Sequence, residues 1–343
     1  MLRAKARPAT QRGAALLMAM VIVTLVATLS ASMVWQQWRA VQVEAAERVR
    51  SQAGWVLNGA LDWARLILRE DARSNGAADH LGEPWAIPLA EARLSTFLAA
   101  DSNNSSSDND DAPDAFLSGK VDDAQAKYNL RNLIDGGGQI QVEEVTLFKR
   151  LCESISLSPS LADAIALGMH KAVLGALGDD PAVLAQLGGA PGRAQAPLMP
   201  QSLDDLLWLG LDAGTLEKLR PYVTLLPETG TQVNVNTASK EVIAAMVENL
   251  DLARAARLVQ ARQRKPFKNM PADLIEVLGQ GSWKFEHLSV GSSFFEVRGR
   301  LRYEDNIIEQ RHLVQRVGTD VIVRYQTRFS GMDHGVSGTA KTP

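Results

Sequence analysis

Five carboxylates between Asp101 and Asp114 (DSNNSSSDNDDAPD) make this acidic run a candidate for holding calcium. Calcium takes about six to eight oxygen ligands, and its commonest loop orders them as Asp-x-Asp-x-Asp-Gly with a distal glutamate. That order is absent, and a segment with almost no apolar side chain reads as a solvated surface loop. The five histidines, His80, His170, His287, His312 and His334, form no ligand-spaced pair. There is no Gly-x-Ser-x-Gly elbow and no Gly-rich phosphate loop; Gly136-Gly137-Gly138 reads as a turn after Asp135. His312 lies in an alternating stretch and is expected on a sheet surface. The single cysteine, Cys152, cannot close a disulfide within the chain and reads as a small buried hydrophobe. No residue set here assembles a catalyst, and a non-enzymatic role is expected.

Nucleic acid is disfavoured by charge. The chain carries 36 Lys and Arg against 39 Asp and Glu, a net charge of −3, whereas a polyanion-binding surface needs a clear basic excess. One motif points the other way. Val233-Asn234-Val235-Asn236-Thr237-Ala238-Ser239 leads into a helix capped by Thr237 or Ser239, and a second helix follows in Ala253 to Arg264, a pattern similar to a helix-hairpin-helix or SAM-like unit. DNA-binding versions use hairpin glycines whose N–H groups approach phosphate. Here the hairpin, Val247 to Leu252, has no glycine and carries Glu248 and Asp251, which repel phosphate. The unit is expected to serve packing or protein contacts.

The element that precedes all of these is an apolar helix. No charge falls between Arg12 and Arg39, and a leader with Arg3, Lys5, Arg7 and Arg12 comes first. Ala14 to Val34 is long enough to cross a hydrocarbon core of roughly 30 Å at about 1.5 Å per residue. Positive charge ahead of it places the N-terminus in the cytoplasm and the bulk of the chain outside, in a single pass. Three processing schemes compete: a secretory signal cut near Ser32, an uncleaved anchor, and a prepilin-type leader cut after Gly13. Beyond Val34, apolar or small residues continue at spacings of three and four through Trp38, Val41, Ala45, Val49, Ala53, Val56, Ala60, Trp63 and Ile67. No proline interrupts Ala14 to Asp71, so one helix of about 85 Å is expected.

The exported part alternates near its C-terminal end. Phe295 to Tyr303, Ile307 to Val317 and Val321 to Phe329 predict a three-stranded antiparallel meander with turns at Asp305-Asn306 and Gly318-Thr319-Asp320. Gly119 to Leu130 alternates more weakly and offers a further strand. Leucines and alanines at helical spacing fill Val145 to Leu157, Leu161 to Leu177, Leu203 to Leu209, Thr215 to Leu219 and Lys240 to Arg262, so a helical insertion splits the sheet.

Arg12-Gly13 before the apolar helix, Ala126-Lys127-Tyr128-Asn129-Leu130-Arg131-Asn132-Leu133, Pro221 to Pro227 and the Val233 to Ser239 motif together resemble the general secretion pathway protein K (GspK) family. These are the large minor pseudopilins of type II secretion systems, and the resemblance runs through nearly the whole chain. It implies an α+β, pilin-like fold: a long N-terminal transmembrane helix and a small antiparallel sheet with a large inserted α-helical domain. The expected divisions are a leader at 1–13, a transmembrane part at 14–34 and the first part of the pilin-like domain at 35–141. The inserted α-domain follows at 142–290, the C-terminal strands at 291–329 and a disordered tail at 330–343. The resemblance also implies cleavage between Gly13 and Ala14 by the prepilin peptidase and N-methylation of Ala14. Major pseudopilins carry a glutamate at the fifth mature position, here Met18, where the carboxylate neutralises a neighbour's terminal ammonium in the apolar fibre. Its absence, shared by the K family, implies a capping place at the fibre tip. Implied partners are minor pseudopilins I and J, other pseudopilins, the inner-membrane assembly platform and the inner membrane itself, with no nucleic acid. No cofactor is required; structural calcium occurs in the family, but its ligands have no assigned residues here. The alternative is a membrane-anchored DNA receptor of the competence type, which shares the anchor and the helix-hairpin-helix pattern.

Overall fold

The computed structural model describes residues 12–74, 78–94, 115–177, 181–303 and 306–332. The chain forms two units, Met1–Val56 and Leu57–Pro343. Helix α1, Arg12–Ser74, is 63 residues long and contributes to both. In the first unit its side chains from Ala14 to Glu47 are exposed, and an 18-residue window reaches a mean hydropathy of 2.4.

In the second unit the last turns of α1 cover one face of a five-stranded antiparallel sheet. Its strands are β1 (Leu89–Arg93), β2 (Ala115–Asp123), β7 (Phe294–Tyr303), β8 (Asn306–Val317) and β9 (Asp320–Met332), in the order β1-β2-β7-β8-β9. Leu61, Ala64 and Leu68 pack with Trp85, Phe295, Val297, Val314 and Val321. The buried stripe of α1 is therefore Leu57, Leu61, Ala64 and Leu68, one face round from the Val56, Ala60, Trp63, Ile67 row that spacing alone picks out; Trp63 stays 49% exposed. Leucines at spacings of four and three fit the sheet more closely than a tryptophan does. Gly299 lies opposite Gly119, and a Cβ at 299 would sit 3.0 Å from Leu57 Cδ2, so the helix approaches over a glycine. Arg65 then fixes the helix by donating from Nε and Nη2 to the Val321 carbonyl at 2.9 and 2.8 Å.

The expected meander is present, and the weaker stretch does join it, but as Ala115–Asp123 rather than Gly119 to Leu130. The chain leaves the sheet at Asp123, whose side chain accepts from Gln125 N and starts a 3-10 turn. Strand β9 runs to Met332, so 330–332 belong to the sheet rather than to a disordered tail. Residues 333–343 and the 101–114 acidic run lie outside the described residues.

Between β2 and β7 two short parallel pairs frame a helical region: β3 (Tyr128–Asn129) with β4 (Val223–Thr224), and β5 (Val233–Asn234) with β6 (Leu288–Ser289). The helices are α2 (Val142–Ser154), α3 (Ser160–Ala176), α4 (Pro181–Leu187), α5 (Ala190–Ala194), α6 (Ala213–Leu219), α7 (Lys240–Met246), α8 (Leu252–Arg264) and α9 (Ala272–Leu278). All but α4 and α5, which bury no residue, share one core, with Tyr128 stacked on Phe148 at 5.4 Å and Cys152 fully enclosed, its thiol pushed up to about 12 by burial. Gly138 ends the turn that Asp135 organises; its φ of +81° and the Val173 side chain 2.5 Å from a would-be Cβ both require glycine.

Candidate functional site

Gly13 and Ala14 stand at the start of α1, and Met18 lies one turn further on, its side chain 69% exposed. Thr24 and Thr28 return their hydroxyls to the carbonyls of Val21 and Leu25, so the apolar run satisfies its own polar groups, as a helix in hydrocarbon must. The α1 surface at Met18 offers a thioether and no charge.

The histidines are scattered. His80 Nδ1 accepts from Gly82 N, and His170 Nδ1 meets the Gly138 carbonyl at 2.7 Å. His287 sits between Glu144 at 3.3 Å and Glu143 at 3.4 Å, and the bond to Glu144 leads the effects that hold its pKa above the ordinary value. His312 is not on the sheet surface: it is 3% exposed, because the alternation of β8 turns 308, 310, 312 and 314 to the covered face. Burial, with Arg328 nearby, holds its pKa down. His334 lies outside the described residues.

Ionisable groups do gather at a buried junction that no local motif announces. Arg316 of β8 places Nη1 2.9 Å from Asp71 Oδ2 and Nη2 2.6 Å from both oxygens of Asp79, and Nη2 also donates to the Ser292 carbonyl at 2.9 Å. Its guanidinium lies over the Phe295 ring at 5.0 Å. Ser292 passes the network on, donating from N to Asp79 Oδ2 at 2.7 Å and from Oγ to Asp123 Oδ2 at 2.6 Å. The same Asp123 oxygen accepts from Thr237 Oγ1 at 2.6 Å and Asn234 Nδ2 at 3.0 Å. Asn234 donates onward to the Asp79 carbonyl and to Ser292 Oγ, both at 3.0 Å. The end of α1, the end of β2, the start of β7, β8 and the Val233 to Ser239 motif thus meet in one hydrogen-bonded set.

Burial dominates the electrostatics here. It pushes Asp123 up to about 6 despite the hydroxyl donors, and it keeps Asp79 above its ordinary value despite Arg316. Glu83 is raised for the same reason; its Oε2 accepts from His80 N and Trp85 Nε1. Carboxylate atoms of Asp71, Asp79 and Glu83 converge within 4.8 Å, as do Glu143, Glu286 and His287. Neither set fits calcium. In the first, the Arg316 guanidinium already occupies the place between Asp71 and Asp79. The second offers only three residues, one of them an imidazole, to an ion that prefers about six to eight oxygens.

The motif that suggested DNA is used for packing. Asn236 Nδ2 donates to the Phe267 carbonyl, and its Oδ1 accepts from Phe267 N, clamping the chain after α8 to the motif. Ser239 is the N-cap of α7. Asp251 caps α8, accepting from Arg254 N at 2.7 Å, and Asn249 takes the positive φ in the hairpin between the two helices. The carboxylate that would repel phosphate is the residue that starts the second helix. The sequence reading missed Asp71, Asp79, Asp123, Ser292 and Arg316; its only foothold was the unusual pair of asparagines at 234 and 236.

An apolar N-terminal helix and a sheet-and-insert unit held by a buried polar junction define a mixed α and β protein. Two family models, both described as type II secretion system (T2SS), protein K, match residues 126–228 and 233–286. Curated relatives carry the name type II secretion system protein K. The one from Pseudomonas aeruginosa is 27% identical over 94% of this chain and 93% of its own length, and the one from Klebsiella pneumoniae is 28% identical over 90% and 93%. A chain from the crystal structure of the GspK-GspI-GspJ complex of enterotoxigenic Escherichia coli superposes with a TM-score of 0.61. Its identity is 20%, covering 83% of this chain and 98% of that one. The chain is thus similar to type II secretion system protein K along nearly its whole length.

Proposed function

We propose that this chain is a non-enzymatic minor pseudopilin at the tip of the type II secretion pseudopilus. It starts pseudopilus assembly and supports protein export across the outer membrane. It is made as an inner-membrane protein with a cytoplasmic N-terminus and a periplasmic bulk. The prepilin peptidase cuts between Gly13 and Ala14, and Ala14 is then N-methylated. Its partners are minor pseudopilins I and J, other pseudopilins and the inner-membrane assembly platform; the role needs no cofactor. Support for the partners comes from the similar chain, which was crystallised with GspI and GspJ. The α7–α8 pair, read as a helix-hairpin-helix unit, serves packing and protein contacts.

Met18 carries the tip assignment. A subunit with a carboxylate at the fifth mature position can neutralise the terminal ammonium of the next subunit inside an apolar bundle, and an uncompensated charge there is costly. Met18 offers a thioether, which is a poor means of accepting another subunit's terminal amine above it. The test is Met18→Glu in a secreting cell, scored for fibre length and exported protein. A change in either is expected, and unchanged values for both refute the capping argument. Mass spectrometry of the mature chain tests processing: a methylated terminus at Ala14 is expected, and a terminus near Ser32 refutes it. A gel shift with this protein tests the DNA-receptor alternative, for which salt-sensitive binding would be the signature.

A further inference from the structure

We infer that Trp35, Trp38 and Arg39 form a one-sided interfacial anchor that grips phospholipid headgroups at the periplasmic face of the bilayer and sets the depth of α1. The inference rests on reading α1 as a membrane anchor. It adds a contact surface and a partner, the headgroup layer, to that reading.

The observations lie in the turn that follows the charge-free run. Val34 is the last residue of the apolar stretch, and Trp35 and Trp38 are 61% and 55% exposed, with their rings paired at 5.5 Å. Elsewhere Trp85 is buried against Phe295, and Trp283 lies beneath Arg254. Of the four indoles of α1, Trp55 and Trp63 lie well beyond the apolar run, whereas Trp35 and Trp38 pair with each other directly at its end. Residues at i, i+3 and i+4 share a helix face, so Trp35, Trp38 and Arg39 project together. Gln36 and Gln37 fill the rest of the turn. Indoles favour the headgroup level, where the ring meets acyl chains and the N–H meets polar groups, and an arginine beside them pairs with lipid phosphate. Nothing acidic opposes that pairing before Glu44.

The lengths agree. Ala14 to Val34 spans about 31 Å at about 1.5 Å per residue, against a hydrocarbon core of roughly 30 Å. With Trp35 at the periplasmic interface, the Gly13–Ala14 bond falls at the cytoplasmic interface. A belt on one face also fixes the rotation of the helix, so the same side of the apolar segment is presented each time.

The experiment reconstitutes the full chain in phosphatidylethanolamine–phosphatidylglycerol vesicles carrying lipids brominated either next to the headgroup or near the chain end. Tryptophan quenching is compared between the unmodified chain and Trp35→Phe/Trp38→Phe. Flotation and carbonate resistance report insertion separately. Expected is a fluorescence component quenched by the shallow bromines more than by the deep ones, and lost in the double variant while insertion persists. An inserted chain without that component overturns the anchor: the indoles then face water or are covered by another protein segment. A chain that fails to insert at all instead overturns the underlying reading of α1, and the anchor falls with it.

Discussion

Replacing Arg316 by methionine isolates the charge at the junction, because methionine keeps much of the stem and removes the guanidinium. Asp71 and Asp79 are then left buried, at 6% and 2% exposure, without the cation that lies between them. Breaking a buried pair by removing one partner costs about 3–5 kcal/mol. A second route bounds the same quantity: an unpaired carboxylate can escape by binding a proton. Protonating one ordinary aspartate at pH 7 costs about 4 kcal/mol, at about 1.4 kcal/mol for each pH unit above its pKa. The two figures agree, and the second adds a signature, since the penalty shrinks to about 2 kcal/mol at pH 5. The assay is urea unfolding of the full chain in mild non-ionic detergent, run at both pH values on the unmodified chain, Arg316→Met, Asp79→Asn and the double variant. The expected coupling between the two sites is about 1–3 kcal/mol, as for groups in one ion-pair network. A loss below about 1 kcal/mol, or a loss that does not change with pH, refutes the electrostatic account and assigns Arg316 to packing on Phe295.

Three further outcomes follow from the same geometry. Asp123 has its pKa raised from 3.8 to about 6, so the folded state keeps a proton that the unfolded chain releases; stability is highest below pH 4 and declines as pH rises towards 6, by on the order of 3 kcal/mol. Asp123→Asn is expected to remove that slope, as measured by urea midpoints from pH 4 to 7, while lowering stability through the donor conflict with Asn234. Gly138→Ala is expected to cost about 2–3 kcal/mol through its positive φ and its contact with Val173; Val173→Ala in the same chain recovers only a fraction of that, because it removes the Cγ contacts and leaves the Val173 Cβ 2.8 Å from the new methyl, as read from the midpoint of thermal unfolding. Asp251→Ala is expected to cost about 1 kcal/mol and Asp251→Ser close to none, because the carboxylate acts as a helix cap; a DNA gel shift appearing in Asp251→Ala would instead mark its charge as the barrier to binding.

What was legible in the sequence was local. The charge-free run of α1 and the alternation of β7, β8 and β9 are contiguous patterns, so a single pass along the chain finds them. Phase was harder. The spacing of α1 is satisfied by two adjacent rows, and only the sheet beneath it selects Leu57, Leu61, Ala64 and Leu68. The buried face of His312 is not legible locally, because an isolated strand does not declare which side is covered; the neighbours Gln310 and Val314, both buried, settle that only once the sheet is built. Gly13, Ala14 and Met18 are proposed from order along the chain alone. The junction could not be read that way, since Asp71, Asp79, Asp123, Ser292 and Arg316 are ordinary polar residues until the fold brings them together.

That junction explains why the Val233 to Ser239 motif has its asparagines. The segments that match the family models, 126–228 and 233–286, lie between β2 and β7 and contain only one side of each key contact. Asn234 and Thr237 are inside them; Asp123, Asp79 and Ser292 are outside. An insert joined to a sheet by two chain crossings alone could swing on them. Here the crossings are reinforced by the β5–β6 pair and by a carboxylate, Asp123, that accepts from both the insert and the sheet. A buried carboxylate left unpaired is costly, so any motion that separates Thr237 and Asn234 from Asp123 exposes or strands a charge. The insert and the sheet accordingly fall in the single compact unit from Leu57 onward. The asparagine-rich motif is the insert's half of a lock, and its resemblance to a DNA-binding element follows from the shared need to enter a capped helix from a strand.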